Sequence, residues 1–138
     1  MSSEIEVRIN AEINRAYYTY ERYQTKATFA LVYHEKELGL EELGSYVRKS
    51  DRFVKMDEKY FFMLFHFTDA KEVSKASQNL LLKLDNHFHN TTTCIAIDTF
   101  NTANPTKVVL NRLKQIINET KKNSFSRIEY EDILDSYI

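Results

Sequence analysis

The chain has 138 residues, 43% of them apolar and 28% charged, with two Gly, one Pro and one Cys; this excludes disorder and collagen-like repeats and fits one compact domain. Nineteen Lys and Arg against twenty Asp and Glu leave a formal charge of −1, so no global field recruits nucleic acid or an anionic membrane. The longest apolar run, residues 60–65, falls far short of the roughly 18 residues of a spanning helix, which argues against membrane insertion.

The start, Met1-Ser2-Ser3-Glu4-Ile5-Glu6, lacks the basic and apolar blocks of a signal peptide, and a lone Cys94 cannot form an internal disulfide, so a cytoplasmic location is expected. In residues 5–23, Ile9, Ile13, Ala16, Tyr17 and Tyr20 recur at the spacing of one helical face and predict an amphipathic N-terminal helix. Residues 27–33 are β-branched, aromatic and apolar on both faces, as in a central strand. Gly39 then breaks the chain before a short helix carrying Leu40, Leu43, Tyr46 and Val47 up to Asp51. Residues 52–56 and 60–67 read as two strands of a hairpin joined by Asp57-Glu58-Lys59.

Asp69 followed by Glu72 forms a capping-box pattern ahead of a helix striped by Val73, Ala76, Leu80, Leu84 and Phe88. Residues 92–97 predict another strand, and Asn104-Pro105 an N-cap and first-turn proline for a helix whose inner face is Val109, Leu113, Ile116 and Ile117. A short strand over 126–130 precedes an acidic, apolar tail, 131–138. The order, a helix, then β-α-β-β-α-β, then α-β, predicts an α+β fold with a ferredoxin-like core: a central, mainly antiparallel sheet flanked by helices. The expected organisation is an N-terminal helix over 1–26, a domain over 27–130 and a tail over 131–138.

These pieces resemble the GGDEF domains, the nucleotide-cyclase-like catalytic domains of bacterial diguanylate cyclases. The strongest segment runs from Val47 to Phe61: Arg48 and Asp51 resemble the family's Arg-x-x-Asp pair, and five residues separate Asp51 from Asp57-Glu58-Lys59-Tyr60-Phe61, which stands where the signature turn falls. Glu21-Arg22-Tyr23 before Phe29-Ala30-Leu31, Thr68-Asp69-Ala70, and the stretch from Glu119 to Ile128 are similar to the lead into the first strand, the start of the next long helix and the closing helix-turn-strand.

The departures set the functional expectation. Of the signature only Phe61 matches; Asp57 and Glu58 replace two glycines that let a nucleotide approach the turn, and Lys59 replaces the metal-holding acid and cannot coordinate Mg²⁺. The family's other metal-binding Asp falls near Tyr33 or His34, and only Glu35 to Val47 stands where the phosphate loop and guanine-reading residues are built. Joining two GTP molecules needs metal ions. The resemblance therefore implies a catalytically inactive regulatory or protein-interaction module in bacterial cyclic di-GMP signalling, with no catalytic residue, cofactor or resident metal. One alternative is a cyclic di-GMP receptor using Arg48 and Asp51, whose plainer reading is a helix-strand corner kept with the fold. Another is an enzyme with a metal site rebuilt from His34, Glu35, Asp57 and Glu58, whose plainer reading is solvated loop charge.

Lys121 matches a phosphate-contacting Lys of the family, but a basic last helical turn explains Lys121 and Lys122 more simply. His66 and Cys94 read as core residues, and His87 and His89 as exposed helix-end residues. Tyr17, Tyr18, Tyr20 and Tyr23 span too many helical faces for one core to hide, which predicts an interface with a protein partner or a second copy through the N-terminal helix. The apolar tail residues Ile133, Leu134, Tyr137 and Ile138 are the competing cover for that patch.

Overall fold

The computed structural model describes residues 3–37, 39–47, 51–66, 70–122 and 126–137. A five-stranded sheet, in the order β2 (Arg52–Lys55), β3 (Tyr60–His66), β1 (Ala27–Tyr33), β4 (Cys94–Asp98) and β5 (Arg127–Tyr130), separates two helical layers. Helix α1 (Ser3–Tyr23) opens on Glu4 and Glu6 and closes on Arg22, charges that complement its dipole. Its chain exits through Gln24, at φ 57°, whose N–H bonds the Tyr20 carbonyl at 2.7 Å, a left-handed cap made without glycine.

Strand β1 (Ala27–Tyr33) lies at the centre, antiparallel to β3 (Tyr60–His66) on one side and to β4 (Cys94–Asp98) on the other. Its pleat sends Phe29 and Leu31 to one face and Ala30 and Val32 to the other. The first face is covered by α1, through Ile9, Ile13 and Ala16, and by α4 (Thr106–Thr120), through Val109, Leu113, Ile116 and Ile117. The second is covered by α2 (Leu40–Tyr46), through Leu43, and by α3 (Ala70–Phe88), through Val73, Leu80 and Leu84. The mainly antiparallel α+β expectation holds, with β4 and β5 (Arg127–Tyr130) the one parallel pair among the described residues.

Several boundaries differ from the sequence reading, α1 starting at Ser3, β4 ending at Asp98 and β5 starting at Arg127 among them. The α2 helix stops at Tyr46 rather than Asp51, because β-branched Val47 is extended (φ −105°, ψ 158°) and Leu43 already supplies the buried contact. β2 ends at Lys55 and β4 begins at Cys94. Pro105, not Asn104, holds the N-cap position of α4. The expected tail is a closing 3₁₀ helix (Glu131–Tyr137) whose Ile133 and Leu134 pack against the α1/α4 core, and Glu131 bonds Thr99 to fix its start. Asp69 of the capping box, Phe67 and Ile138 lie outside the described residues, and the side chain of Tyr137 is not among those described.

Candidate functional site

The end of the sheet where β1 finishes and the β2–β3 hairpin turns gathers most of the residues singled out above. The turn is closed by its own side chain: Asp57 Oδ1 accepts the N–H groups of Lys59 at 2.8 Å and Tyr60 at 2.9 Å, while the Met56 N–H bonds the Tyr60 carbonyl at 2.9 Å. An Asx turn thus forms where glycine would rely on backbone freedom. Glu58 and Lys59 are exposed.

Tyr33 and Tyr60 are register partners across β1 and β3, with ring centroids 5.0 Å apart. Lys121, at the C-cap of α4, donates from Nζ to the Tyr60 hydroxyl and stands 4.1 Å from the Tyr33 ring centroid and 5.0 Å from that of Tyr60. Lys121, expected as part of a basic last helical turn, is a seated cation, held by two aromatic faces and a hydroxyl. Sequence reasoning missed this seat; the available signal was a tyrosine at the end of each of two apolar strands.

His34 turns away from this cluster. Its ring, 2% exposed, stacks on Phe88 at 4.1 Å, its Nδ1 accepts the Lys36 N–H at 3.0 Å, and its Nε2 faces Asn90 Oδ1 at 2.8 Å. An accepting Nδ1 fixes the neutral tautomer with the proton on Nε2. Burial pushes the imidazole below its ordinary pKa despite opposing contributions from Asn90 and Lys36. With both His34 nitrogens engaged, the four-residue metal set is not brought together, and no group of three metal-ligating side chains exists among the described residues.

Arg48 lies outside the described residues; Asp51, at the opposite corner, is 9% exposed and lines a cleft of about 80 Å³ with Tyr46, Met63, Phe65, Asn79 and Lys83. His87 is exposed, as expected, and its Nδ1 lies 2.8 Å from the Tyr46 hydroxyl. His66 is half-buried in β3, its pKa lowered first by burial and then by Arg52. Burial pushes the Cys94 thiol up, so it is an inert core group.

The tyrosines of α1 divide by face. Tyr17 packs edge-on against Phe29 and Phe100, its hydroxyl donating to the carbonyls of Asn104 (2.8 Å) and Asn101 (3.1 Å), and Tyr20 packs on Phe100. Tyr18 and Tyr23 point outward, 56% and 67% exposed, with the Arg22 guanidinium 5.8 Å from each ring and bonded to the Tyr18 hydroxyl at 2.9 Å. Val7 stands eleven residues before Tyr18, about three turns, and extends the same outer stripe. The 3₁₀ helix packs on α4, β4 and β5, and Tyr18 and Tyr23 stay exposed.

Solved structures with this arrangement of strands and helices decide what the scaffold is. The GGDEF domain of DgcB from Caulobacter crescentus, solved with cyclic di-GMP, superimposes with a TM-score of 0.72 at 12% identity, over 89% of this chain and 88% of that one. Its fold is that of a GGDEF domain. The GGDEF domain of YfiN from Pseudomonas aeruginosa matches at a TM-score of 0.73 and 10% identity over 95% of this chain and 91% of that one. The diguanylate cyclase SiaD from Pseudomonas aeruginosa, solved with its activator SiaC, matches at 0.72 and 7% identity over 91% of this chain, which spans only 57% of SiaD. No family profile and no curated protein matches the sequence. Within this GGDEF fold, β1, the hairpin turn and the C-terminus of α4 converge at one end of the sheet, and the Tyr33–Tyr60–Lys121 cluster occupies that convergence. No helix among the described residues is long and apolar enough to cross a membrane.

Proposed function

We propose that this chain is a catalytically inactive GGDEF-like module of cyclic di-GMP signalling that works by contacting protein. The observation that carries the reading is the seat of Lys121 on Tyr33 and Tyr60. The resemblance puts a metal-binding acid at the end of β1 and another at the third position of the turn. This chain carries tyrosine and histidine at the first, lysine at the second and a lodged ammonium between the strands. A divalent cation there would meet the Lys59 and Lys121 ammonium groups, and no acid stands at either of those two positions. The outer stripe of α1, with Val7, Tyr18, Arg22 and Tyr23, is the contact surface of this reading, and tyrosine with arginine suits a desolvated interface centre.

A second reading, a cyclic di-GMP receptor, draws support from the placement of Asp51 in a cleft beside α2 and α3. That cleft, about 80 Å³, holds a few atoms, so a dinucleotide would lie across its mouth and need a second surface. One experiment addresses both: calorimetric titration with GTP and with cyclic di-GMP, with and without Mg²⁺, followed by product analysis. The expected result is no cyclic di-GMP from GTP, in the wild type and equally in Lys59→Asp, because one acid does not rebuild a base pocket. Detectable synthesis by the wild type overturns inactivity. Saturable cyclic di-GMP binding that Arg48→Ala abolishes establishes the receptor reading in its place.

A further inference from the structure

A cleft of about 290 Å³ opens between α4 and the β2–β3 hairpin, on the α1/α4 side of the sheet and so on the opposite face from Asp51. Its floor is apolar: Leu31 and Ile117, each 1% exposed, with Met56 beside them. Its polar groups are Lys114 and Asn118, one turn apart on α4, the Tyr60 ring and hydroxyl, and Asp57 at the turn.

The hydrogen-bonding capacity left to a ligand is biased toward donors. Lys121, seven residues beyond Lys114 and on the same side of α4, donates to the Tyr60 oxygen, which leaves the hydroxyl proton of Tyr60 to be given elsewhere and strengthens it as a donor. Lys114 brings three N–H donors and, among the described residues, no ion pair. Asp57 keeps its charge but has its Oδ1 committed to the two N–H groups of its own turn, so one carboxylate oxygen stands against the three N–H donors of Lys114 and the Tyr60 hydroxyl proton. An apolar floor under two convergent donors, in a space at the lower limit of ligand sites (about 300–1,000 Å³), fits an anion that carries a single ring or short chain.

We propose that this cleft binds a small organic carboxylate with an apolar body, the carboxylate taken by Lys114 and the Tyr60 hydroxyl and the body resting on Leu31, Met56 and Ile117. The inference shares the Lys121–Tyr60 contact with the functional reading but uses neither the turn's metal chemistry nor the Asp51 corner, so benzoate binding and cyclic di-GMP synthesis are read independently.

The test is a ¹H–¹⁵N chemical-shift titration of the full chain with three probes: benzoate, acetate (the charge without the body) and benzyl alcohol (the body without the charge). Benzoate should give saturable shifts concentrated at Met56 to Tyr60 and Lys114 to Asn118, with a dissociation constant in the millimolar range, and both other probes should bind at least about tenfold more weakly. Lys114→Gln, a substitution at a half-exposed helical position, should weaken benzoate by about tenfold while leaving benzyl alcohol unchanged. No saturable shift at these residues up to about 50 mM, equal binding of benzoate and either partial probe, or unchanged benzoate affinity in Lys114→Gln overturns the proposal.

Discussion

Burial of His34 ties the stability of this chain to pH through one ring. The neutral imidazole accepts the Lys36 N–H and faces Asn90; a second proton on Nδ1 would set two donors against each other in a site that is 2% exposed. Glu35, which bonds Asn90 at 3.1 Å, and Asp85 both favour the charged ring, but burial outweighs them and the pKa is lowered. The sign follows directly. A group whose folded pKa lies below its unfolded value of about 6.5 binds fewer protons in the folded state, so stability is full above that pH and is lost as pH falls toward the folded pKa. His66, also lowered, acts in the same direction. Thermal unfolding from pH 8 to pH 5 should therefore show a falling midpoint below about pH 6.5, with part of the slope removed in His34→Gln. That variant also loses the ring stack on Phe88 and should be less stable by about 1–3 kcal/mol at pH 8. An unchanged pH slope in His34→Gln would assign the titration to other groups.

Among the elements, the closing 3₁₀ helix is short but tied to the core at two places. Ile133 and Leu134 pack on the α1/α4 core and Glu131 ties the helix to Thr99, so truncation after Tyr130 should lower stability by about 2–4 kcal/mol, read as a lower urea midpoint. A midpoint equal to that of the full chain would mean that the contact is energetically empty. This element also marks what the sequence could and could not disclose. Strands β1 and β3 and helices α3 and α4 are written in local periodicity, since Val73, Leu80 and Leu84 or Val109, Leu113 and Ile116 repeat at helical spacing whatever lies opposite them. The tail has no such repeat, and its form is set by a core assembled from distant residues. The same holds at the site. Asp57, Tyr60 and Lys121 were visible as residues, but the seat of Lys121 depends on β1 and β3 being register partners, a relation 27 positions long that no local window contains. The early end of α2 is a milder case, in which Val47 had the right hydrophobicity for the helical stripe and the wrong backbone preference.

At the scale of the whole molecule, the division of the α1 tyrosines gives the protein one aromatic surface that its own core does not use. Tyr17 and Tyr20 are spent on Phe29 and Phe100, whereas Tyr18 and Tyr23 bracket Arg22 in the open. The proposed contact role predicts that the full chain sediments as a concentration-dependent dimer and that Tyr18→Ser, which touches nothing in the core, returns it to a monomer with the thermal midpoint of the dilute, monomeric wild type. A wild type that stays monomeric at every concentration overturns self-association through this face.

Helix α1 also imposes an order on biosynthesis. Ile9, Ile13 and Ala16 leave the ribosome with the first twenty-odd residues, yet α4, which shares their core, begins at Thr106. Translation of the roughly 80 intervening residues takes on the order of 4–16 s at about 5–20 residues per second. Throughout that interval the nascent helix carries an apolar stripe that lacks its cover from α4, far longer than the microseconds in which helices form. A chaperone that reads short apolar stripes therefore has a defined window on this chain, opened by α1 and shut by the emergence of α4.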